Sequence, residues 1–260
     1  MELIKYREIN ELLQKLLFQI RAILEEKFVG LYIGGSLSSN SFDPETSDID
    51  CYIVTIGILP KQLIQKIEEL HQEFYLSNLA FSSKIEASYV PQEDLLNFNP
   101  KATRPYFNEG YFCFGQYGSN YLIELKVLRE NGITLVGPDI KNLIKEISAQ
   151  NLRLAIQNNL QEYWKNTLKD FSKFGRSDYQ VFAILTLCRT LYSLETGKIA
   201  SKKEAARWAI QKLEANWKSL IEQACAWKPG QEIDKLDETK RFVSYVINRN
   251  NSYNSAKIIK

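Results

Sequence analysis

The spacing of apolar residues changes several times along the chain. Up to residue 28 they recur mostly three and four residues apart, which predicts an amphipathic helix over residues 6–28. Short, nearly continuous apolar runs then predict strands over residues 29–33, 48–56 and 83–90, with a helix over 61–75 between the last two. Strands that alternate with helices in this way predict an α/β domain.

The pattern becomes irregular between Pro91 and Asn120. Prolines, glycines and aromatic residues are mixed there without a clear period, so we expect loops. A helix is predicted over residues 121–131 (YLIELKVLREN), followed by a short strand over 132–138 (GITLVGP) that Gly-Pro closes.

Strand signals stop after Ile140. Helical stretches are predicted over residues 140–166, 178–196 and 201–250, with a break at the Lys-Pro-Gly sequence of residues 228–230. The change in composition near residue 150 predicts two domains, an α/β domain over 1–150 and a helical domain over 151–260.

Composition narrows the classes of protein. The 260 residues are 45% hydrophobic and 12% aromatic, which is enough to fill real cores. The net charge of +2 is far below the basic excess expected of a protein that binds a nucleic-acid backbone, so any polyanionic partner should be small.

Cysteine and histidine usage restricts the chemistry further. The four cysteines form no CxxC pair, and the charged start MELIKYREIN lacks the apolar run of a signal peptide, which favours a reducing cytoplasm. No apolar stretch approaches the roughly 20 residues of a membrane span. The single histidine, His71, lies in the charged pattern IEELHQEF, so we expect a helix-surface residue and neither a histidine triad nor a zinc site.

Two aspartates open the second predicted strand. Because side chains two residues apart on a strand share a face, Asp48 and Asp50 project together while Ile49 and Cys51 point the other way. Two like charges this close repel each other unless a cation offsets the repulsion. Magnesium prefers oxygen ligands and commonly takes one or two carboxylates together with substrate phosphates, so the pair predicts a magnesium–triphosphate site.

The turn after the first strand supplies groups that suit a phosphate. In residues 34–36 (Gly-Gly-Ser) the glycines allow close approach of the backbone, and N–H groups at the start of a following helix attract negative charge. We therefore predict that Gly35, Ser36 and, beside the first aspartate, Ser47 contact phosphate. Each fragment alone is also compatible with ordinary turn chemistry.

A lone acid occupies the third predicted strand. Glu86 lies within the apolar sequence SKIEASYV, where a charged residue is disfavoured. If this strand neighbours the one with the aspartates, Glu86 can bind the metal or act as general base toward an attacking hydroxyl. The alternative is an edge strand on which Glu86 faces water.

These motifs together resemble a known family. Gly-Gly-Ser, then SDIDCYIV, then a strand with one glutamate resemble the core of the polymerase-β-type nucleotidyltransferases. Residues 185–210 (LTLCRTLYSLETGKIASKKEAARWAI), together with ITLVGP and FVSYV, are similar to the aminoglycoside nucleotidyltransferases that modify streptomycin and spectinomycin. The resemblance implies an α+β nucleotidyltransferase core with a mixed sheet over residues 1–150, followed by an all-α helical bundle over 151–260.

The resemblance also implies a reaction. It implies transfer of AMP from ATP to a hydroxyl of a small antibiotic, with pyrophosphate released, in a cleft between the two domains. Asp48 and Asp50 would hold Mg²⁺, and Glu86 would be the catalytic base and lie at the metal. Lys202 and Tyr245 match positions that contact the nucleotide; from the pattern alone they would be a solvated helix residue and a core aromatic.

The acceptor side departs from the family pattern. The family's Gly-Asp-Glu-Arg before the LTLCR helix is replaced by residues 175–180 (GRSDYQ), and its upstream Gly-Glu-Trp is absent from NEGYFCFGQYGSN. By position, Tyr111, Trp164, Asp170 and Asp178 are the candidates for contact with a cationic acceptor. Asp170 and Asp178 are equally compatible with ordinary surface residues.

Three functions remain open on the sequence. The first is a Mg²⁺-dependent adenylyltransferase acting on an aminoglycoside or aminocyclitol, expected to be a cytoplasmic monomer with no nucleic-acid or membrane partner. The second keeps the chemistry but transfers AMP to another small molecule or to a protein hydroxyl. The third is a nucleotide-binding or toxin–antitoxin-type protein without turnover, for which a retained base would have no use.

Overall fold

The chain folds into two compact units, Met1–Glu146 and Ile147–Lys260. The computed structural model describes residues 4–170 and 172–258, with side chains up to residue 250. The division lies close to the domain boundary that the composition predicts at residue 150.

The first unit is built on one mixed sheet. Its six strands lie in the order β5-β4-β3-β2-β1-β6. Their bounds are β1 Phe28–Ile33, β2 Ile49–Thr55, β3 Ile85–Pro91, β4 Thr103–Asn108, β5 Tyr111–Gln116 and β6 Ile133–Val136. Only β2 and β3 run parallel among these pairs, because the helix between them carries the chain back across the sheet.

Six α-helices belong to the first unit. They are α1 Arg7–Leu24, α2 Gly35–Ser38, α3 Lys61–Leu76, α4 Gln92–Leu96, α5 Asn120–Asn131 and α6 Ile140–Leu143. The apolar stripe of α1 is buried as its spacing predicts, and it packs in one core with the apolar residues of β1 to β3 and of α3. The predicted α/β core with a mixed sheet is confirmed.

The prediction of irregular loops over residues 91–120 is wrong. This segment contains α4 and an antiparallel hairpin of β4 and β5, joined by the two-residue turn Glu109-Gly110. Both turn residues have positive φ, 49° and 83°, as the tight hairpin turn with right-handed strand twist requires. Glu-Gly is a weaker sequence signal for this turn than Asn-Gly. Pro105 also makes the sequence of β4 look unlike a strand. The sheet tolerates it because Pro105 lies beyond the residues of β4 that pair with β3.

The interpretation of His71 as a surface residue is also wrong. His71 is fully buried and continues the apolar stripe of α3, which is formed by Ile67, Leu70 and Phe74. Its Nε2 and the hydroxyl of Tyr89 are 2.8 Å apart and share a hydrogen bond. Burial lowers the pKa of His71 from 6.5 to about 3, so the ring is neutral at physiological pH.

The second unit is entirely helical in its described residues. Its helices are α7 Ala149–Asn159, α8 Lys165–Thr167, α9 Ser177–Thr196, α10 Lys202–Lys212, α11 Lys218–Ala226 and α12 Leu236–Ile258, with a π-helical turn Leu160–Trp164 between α7 and α8. The predicted stretch 140–166 is interrupted at Ser148, whose hydroxyl caps α7 by accepting the N–H of Asn151 at 3.1 Å.

Local signals explain the ends of the central helices. Gly197, with φ of 70°, ends α9 in the left-handed conformation that favours glycine. Ser201 and Glu204 form a reciprocal capping box at the start of α10. None of the described helices combines the length and the apolar character that a bilayer crossing requires.

Candidate active site

The three predicted catalytic carboxylates lie on two adjacent strands of the first unit. Asp50 on β2 is directly opposite Glu86 on β3 in the parallel register, and Asp48 precedes β2 by one residue. Glu86 and Asp50 are half-buried, whereas Asp48 is exposed. Because β3 lies between β2 and β4, the alternative of Glu86 on an edge strand is excluded.

The Gly-Gly-Ser turn packs directly against the second aspartate. The backbone N–H of Gly34 donates to the carbonyl oxygen of Asp50 at 2.9 Å. Gly35 has a φ of 58°, and a Cβ atom there would lie 1.7 Å from Oδ2 of Asp50. Glycine is therefore required at residue 35 both for its conformation and for the space that the carboxylate occupies.

The two predicted phosphate-binding serines flank this turn and the aspartates. Ser36 is half-buried in the single turn of α2. Ser47 Oγ accepts the backbone N–H of Asp43 at 3.0 Å, and this contact closes the loop before β2. The ammonium group of Lys84 donates to the carbonyl oxygens of Pro44 and Glu45 at 2.7 and 3.0 Å, so the same loop is fastened beside the start of β3.

A cavity of about 180 Å³ opens in front of the carboxylates. Its polar lining comes from β2, β3, β4 and α5, and comprises Asp50, Tyr52, Glu86, Ser88, Arg104, Tyr106, Asn108 and Glu124. A larger cavity of about 370 Å³ lies elsewhere against Phe18 and Phe74 and contains none of these side chains. We assign the smaller cavity as the site because the reactive groups line it.

Glu86 has the protonation behaviour of a general base. Its pKa rises from 4.5 to about 8, first because burial disfavours the carboxylate and then because Asp50, Asp48, Glu124 and Glu109 repel it. A carboxyl group whose pKa lies near neutrality can both accept and release a proton at physiological pH.

An arginine that the sequence did not single out organises the far wall of the cavity. The guanidinium carbon of Arg104 lies 4.3 Å from the ring centre of Tyr121 and 4.9 Å from that of Tyr117. Its Nε donates to Ser88 Oγ at 3.2 Å, two residues along β3 from Glu86. These contacts hold a fixed positive charge close to an otherwise acidic group of side chains.

The carboxylates suit a metal that completes its shell with substrate oxygens. Among residues 4–170 and 172–258, no three histidine, cysteine, aspartate or glutamate side chains form a ready-made metal site. The predicted ligand set of Asp48, Asp50 and Glu86 is thus not gathered as three protein ligands. Two carboxylates beside a glycine turn still fit Mg²⁺, which usually binds one or two carboxylates and fills its other positions with water and phosphate.

Comparison with known proteins shows a similarity to aminoglycoside adenylyltransferases. Residues 142–251 match the family described as "Aminoglycoside adenylyltransferase, C-terminal domain". An aminoglycoside (3'') (9) adenylyltransferase of Escherichia coli is 27% identical, and the alignment covers 92% of this chain and 94% of that protein. The chain is therefore similar to aminoglycoside nucleotidyltransferases over most of its length. It is accordingly an enzyme of the adenylyltransferase class.

Other adenylyltransferases match over similar lengths. A spectinomycin 9-adenylyltransferase of Staphylococcus aureus is 25% identical over 88% of this chain and 90% of its own. One from Campylobacter jejuni is 29% identical over 78% of each chain. The crystal structure of spectinomycin adenyltransferase from Enterococcus faecialis with ATP and spectinomycin has the same fold, with a TM-score of 0.74, 24% identity, and coverage of 93% of this chain and 99% of that one.

The nucleotide contacts that the resemblance implies in the second unit lie on α10 and α12. Lys202 is exposed at the first turn of α10, with its ammonium group 5.5 Å from the ring centre of Phe182. The ring of Tyr245 packs at a tilt against that of Trp217, with 5.2 Å between ring centres, and the Tyr245 hydroxyl accepts from Arg249 at 2.6 Å. Their roles toward the nucleotide stay predictions.

The predicted acceptor contacts occupy unlike environments. Tyr111 begins β5 and is 72% exposed. Trp164 is 1% exposed and stacks on Phe182, with 6.1 Å between ring centres, so its ring is part of the core in this conformation.

The two predicted acceptor aspartates already have partners. Asp170 Oδ1 accepts the backbone N–H of Ser172 at 3.0 Å, and this contact lowers the pKa of the exposed Asp170 carboxyl. Asp178 forms a two-point ion pair with Arg176, which lowers the pKa of the Asp178 carboxyl. A cationic acceptor would have to compete with Arg176 for Asp178.

Sequence reasoning missed six polar side chains that line the cavity, among them Arg104, Asn108 and Glu124. Arg104 and Asn108 lie on β4. The sequence predicts a loop there, so it gives no indication of the sheet face on which these side chains lie. Glu124 lies on α5 and accepts from Asn120 Nδ2 at 2.6 Å and from the hydroxyl of Tyr52 at 3.5 Å. Its only signal is an acid within the apolar sequence YLIELKVL.

Proposed function

We propose that this protein transfers AMP from ATP to a hydroxyl group of an aminoglycoside or aminocyclitol antibiotic such as streptomycin or spectinomycin, with release of pyrophosphate. The observation that carries the proposal is the pairing of Glu86 with Asp50 across β2 and β3, in a cavity beside the Gly34–Ser36 turn. The names of the relatives from E. coli and S. aureus support this acceptor class.

Glu86 is the proton acceptor of the proposed reaction. In its ionised form the carboxylate takes the proton of the acceptor hydroxyl as the oxygen attacks the α-phosphorus, and the P–O bond to pyrophosphate breaks. The pKa of about 8 makes the carboxylate a stronger base than an ordinary glutamate and still leaves part of it ionised at neutral pH. Arg104, held by tyrosine rings and Ser88, keeps the opposite wall in place.

The aspartates and the turn hold the nucleotide in this proposal. Asp48 and Asp50 bind Mg²⁺, while Gly35, Ser36 and Ser47 face the phosphates. When bound, the cation offsets the charge of the triphosphate and of the neighbouring carboxylates. Gly35 matters because any larger residue would displace the Asp50 carboxylate.

The charge of the cavity favours a cationic acceptor. Asp50, Glu86 and Glu124 line it, and Arg104 is the one basic side chain among the described lining residues. An acceptor with ammonium groups therefore gains electrostatic stabilisation that a neutral or anionic molecule does not. A cytoplasmic location and a monomeric state remain predictions. All four cysteines are free thiols, which is the state that a reducing compartment favours.

One assay tests the reaction and the acceptor together. Pyrophosphate release from ATP and Mg²⁺ is measured with streptomycin, spectinomycin and other aminoglycosides offered singly, and products are examined by mass spectrometry. The proposal expects a mass gain of one adenylyl group on at least one drug. Glu86→Gln should bind ATP–Mg²⁺ as the wild type does, yet lose at least about 100-fold in turnover.

The departures on the acceptor side favour one second candidate, an adenylyltransferase for a different hydroxyl. Tyr111 is exposed in a segment that lacks the Gly-Glu-Trp sequence that the resemblance leads us to expect, and Asp178 is paired with Arg176. ATP binding without adenylylation of any drug would support this candidate against the first. If Glu86→Gln turned over as fast as the wild type, Glu86 would not be the general base in either candidate function.

A further inference from the structure

Asn108 carries a buried oxygen with no partner in the catalytic cavity. Its Oδ1 is shielded from water and makes no hydrogen bond to any described residue, and the side chain lines the cavity with Asp50 and Glu86. A buried polar atom that lacks a partner destabilises the folded state unless something else supplies a donor.

The sheet register places this oxygen beside the base. In the antiparallel pair of β3 and β4, Ala87 is opposite Phe107 and Ser88 is opposite Tyr106. The same register puts Asn108 opposite Glu86, on the sheet face that also carries Asp50. Side chains directly opposite each other on antiparallel strands have Cβ atoms only about 5 Å apart.

The backbone around Asn108 holds the side chain in position. The Glu109-Gly110 turn follows immediately, and the carbonyl oxygen of Gly110 accepts the side-chain amide of Gln72 on α3 at 2.7 Å. On the other side, Phe107 is buried and stacks on His71 with 4.9 Å between ring centres. With both neighbours anchored, the backbone of Asn108 is fixed in the cavity wall, and a rotation of its side-chain amide presents Oδ1 to a group bound in the cavity.

We propose that Asn108 is an acceptor-binding residue whose Oδ1 takes a hydrogen bond from a hydroxyl or ammonium group next to the hydroxyl that Glu86 deprotonates. The inference rests on the proposed function and adds the group that orients the acceptor. Carbohydrate-like aminocyclitols carry such donors on adjacent ring carbons. The geometry thus requires a vicinal donor, which a simple alcohol lacks.

Asn108→Leu is the decisive variant. It should raise the acceptor KM about tenfold, leave the KM for ATP unchanged, and not lower the melting temperature, because an apolar side chain removes an unpartnered oxygen. Asn78→Leu, an exposed asparagine outside the cavity, is the control and should change none of these values. An unchanged acceptor KM, or a melting temperature that falls in parallel with activity, would overturn the proposal.

Asn108→Asp tests whether the oxygen itself matters. The carboxylate keeps a hydrogen-bond acceptor at the same place, so the acceptor KM should stay within about threefold of the wild type. A rise in acceptor KM as large as that of Asn108→Leu would contradict the role of the Asn108 oxygen.

Direct binding separates this proposal from the reaction. Streptomycin and spectinomycin are titrated calorimetrically into the wild type and Asn108→Leu. If the wild type forms product and both proteins bind the drugs with equal affinity, Asn108 has no role in acceptor binding, while the proposed reaction stands. Binding that weakens in the variant without any product would uphold Asn108 and refute the proposed reaction, whereas no binding to the wild type would refute both.

Discussion

Glu86 lies among like charges, so its stability effect depends on pH. Its folded-state pKa is raised from 4.5 to about 8, which means that folding is most favourable when the carboxyl is protonated. The stabilising contribution is complete below pH 4.5 and is lost as pH rises through about 8.

We therefore expect metal-free Glu86→Gln to become more stable than the wild type as pH rises from 5 to 9. The difference should reach roughly 4 kcal/mol, since glutamine carries no charge to be buried or repelled. Urea unfolding at several pH values measures it. Adding Mg²⁺ and ATP should shrink the difference, and a constant offset across this pH range would contradict the prediction.

Gly35 is required both for its positive φ and for the space that the Asp50 carboxylate occupies. Comparison with Gly118, which has a similar φ, separates the two requirements. Gly35 and Gly118 have similar positive φ values, 58° and 66°, but a Cβ at Gly118 would touch no atom within 4 Å. Gly118→Ala should cost only about 1 kcal/mol of backbone strain. Gly35→Ala should cost at least about 2 kcal/mol more and abolish ATP–Mg²⁺ binding, because its Cβ collides with Asp50. Chemical unfolding and nucleotide titration report both effects; equal losses would refute the argument.

At the level of elements, the β4–β5 hairpin is fastened to α3 through its turn. Gln72 donates to the carbonyl oxygen of Gly110, whereas Gln65 on the same helix only reaches Glu69 at its exposed surface. The hairpin contributes Arg104, Tyr106 and Asn108 to the cavity. We therefore expect the attachment of this hairpin to α3 to affect the cavity.

Gln72→Ala should loosen the hairpin turn while Gln65→Ala should not. We expect faster amide hydrogen exchange in Tyr111–Gln116 and about a threefold rise in acceptor KM for Gln72→Ala, since one neutral hydrogen bond is lost. Hydrogen exchange with mass spectrometry and steady-state kinetics measure the two effects. Identical exchange in both variants would show that the turn is held by other contacts.

The elements also show where sequence patterns suffice. Strands β1, β2 and β3 and helix α3 could be predicted because continuous apolar runs and helical spacing dominate their sequences. The hairpin could not, because Pro105 interrupts β4 and most of its side chains are only half-buried. His71 was misassigned because its flanking glutamates face water while its own position lies on the buried stripe of α3.

The same contrast holds within the site. Asp48, Asp50 and Gly35 lie in a compact motif whose spacing predicts the chemistry, and Glu86 is conspicuous in an apolar strand. Asn108 and Glu124 reach the cavity only through the register of β4 and the position of α5. No local pattern contains that register.

For the whole molecule, the presence of a single histidine allows part of the loss of stability in acid to be assigned to one residue. The depressed pKa of His71 means that its contribution to stability is complete above the unfolded value of 6.5 and is lost as pH falls toward 3. Lowering the pH from 7 to 5 should cost about 2 kcal/mol, because the unfolded chain gains a proton that the folded chain excludes.

Replacing both His71 and Tyr89 by phenylalanine should remove most of that loss. The double change avoids leaving the Tyr89 hydroxyl without its partner. Denaturant midpoints at pH 7, 6 and 5 provide the test, and Tyr89→Phe alone is the control. An equally steep loss in the double variant would assign the acid sensitivity to carboxyl groups instead.

The division of the cavity between strands has an evolutionary consequence. The carboxylates Asp50 and Glu86 lie on the inner strands β2 and β3, while Arg104, Tyr106 and Asn108 lie on one contiguous hairpin at the margin of the sheet. Mutation or recombination can replace that hairpin as a block without altering the inner strands. Diversification of the molecules accepted by this fold can thus proceed by changes in a single short segment, and libraries confined to residues 103–116 are the economical way to explore it.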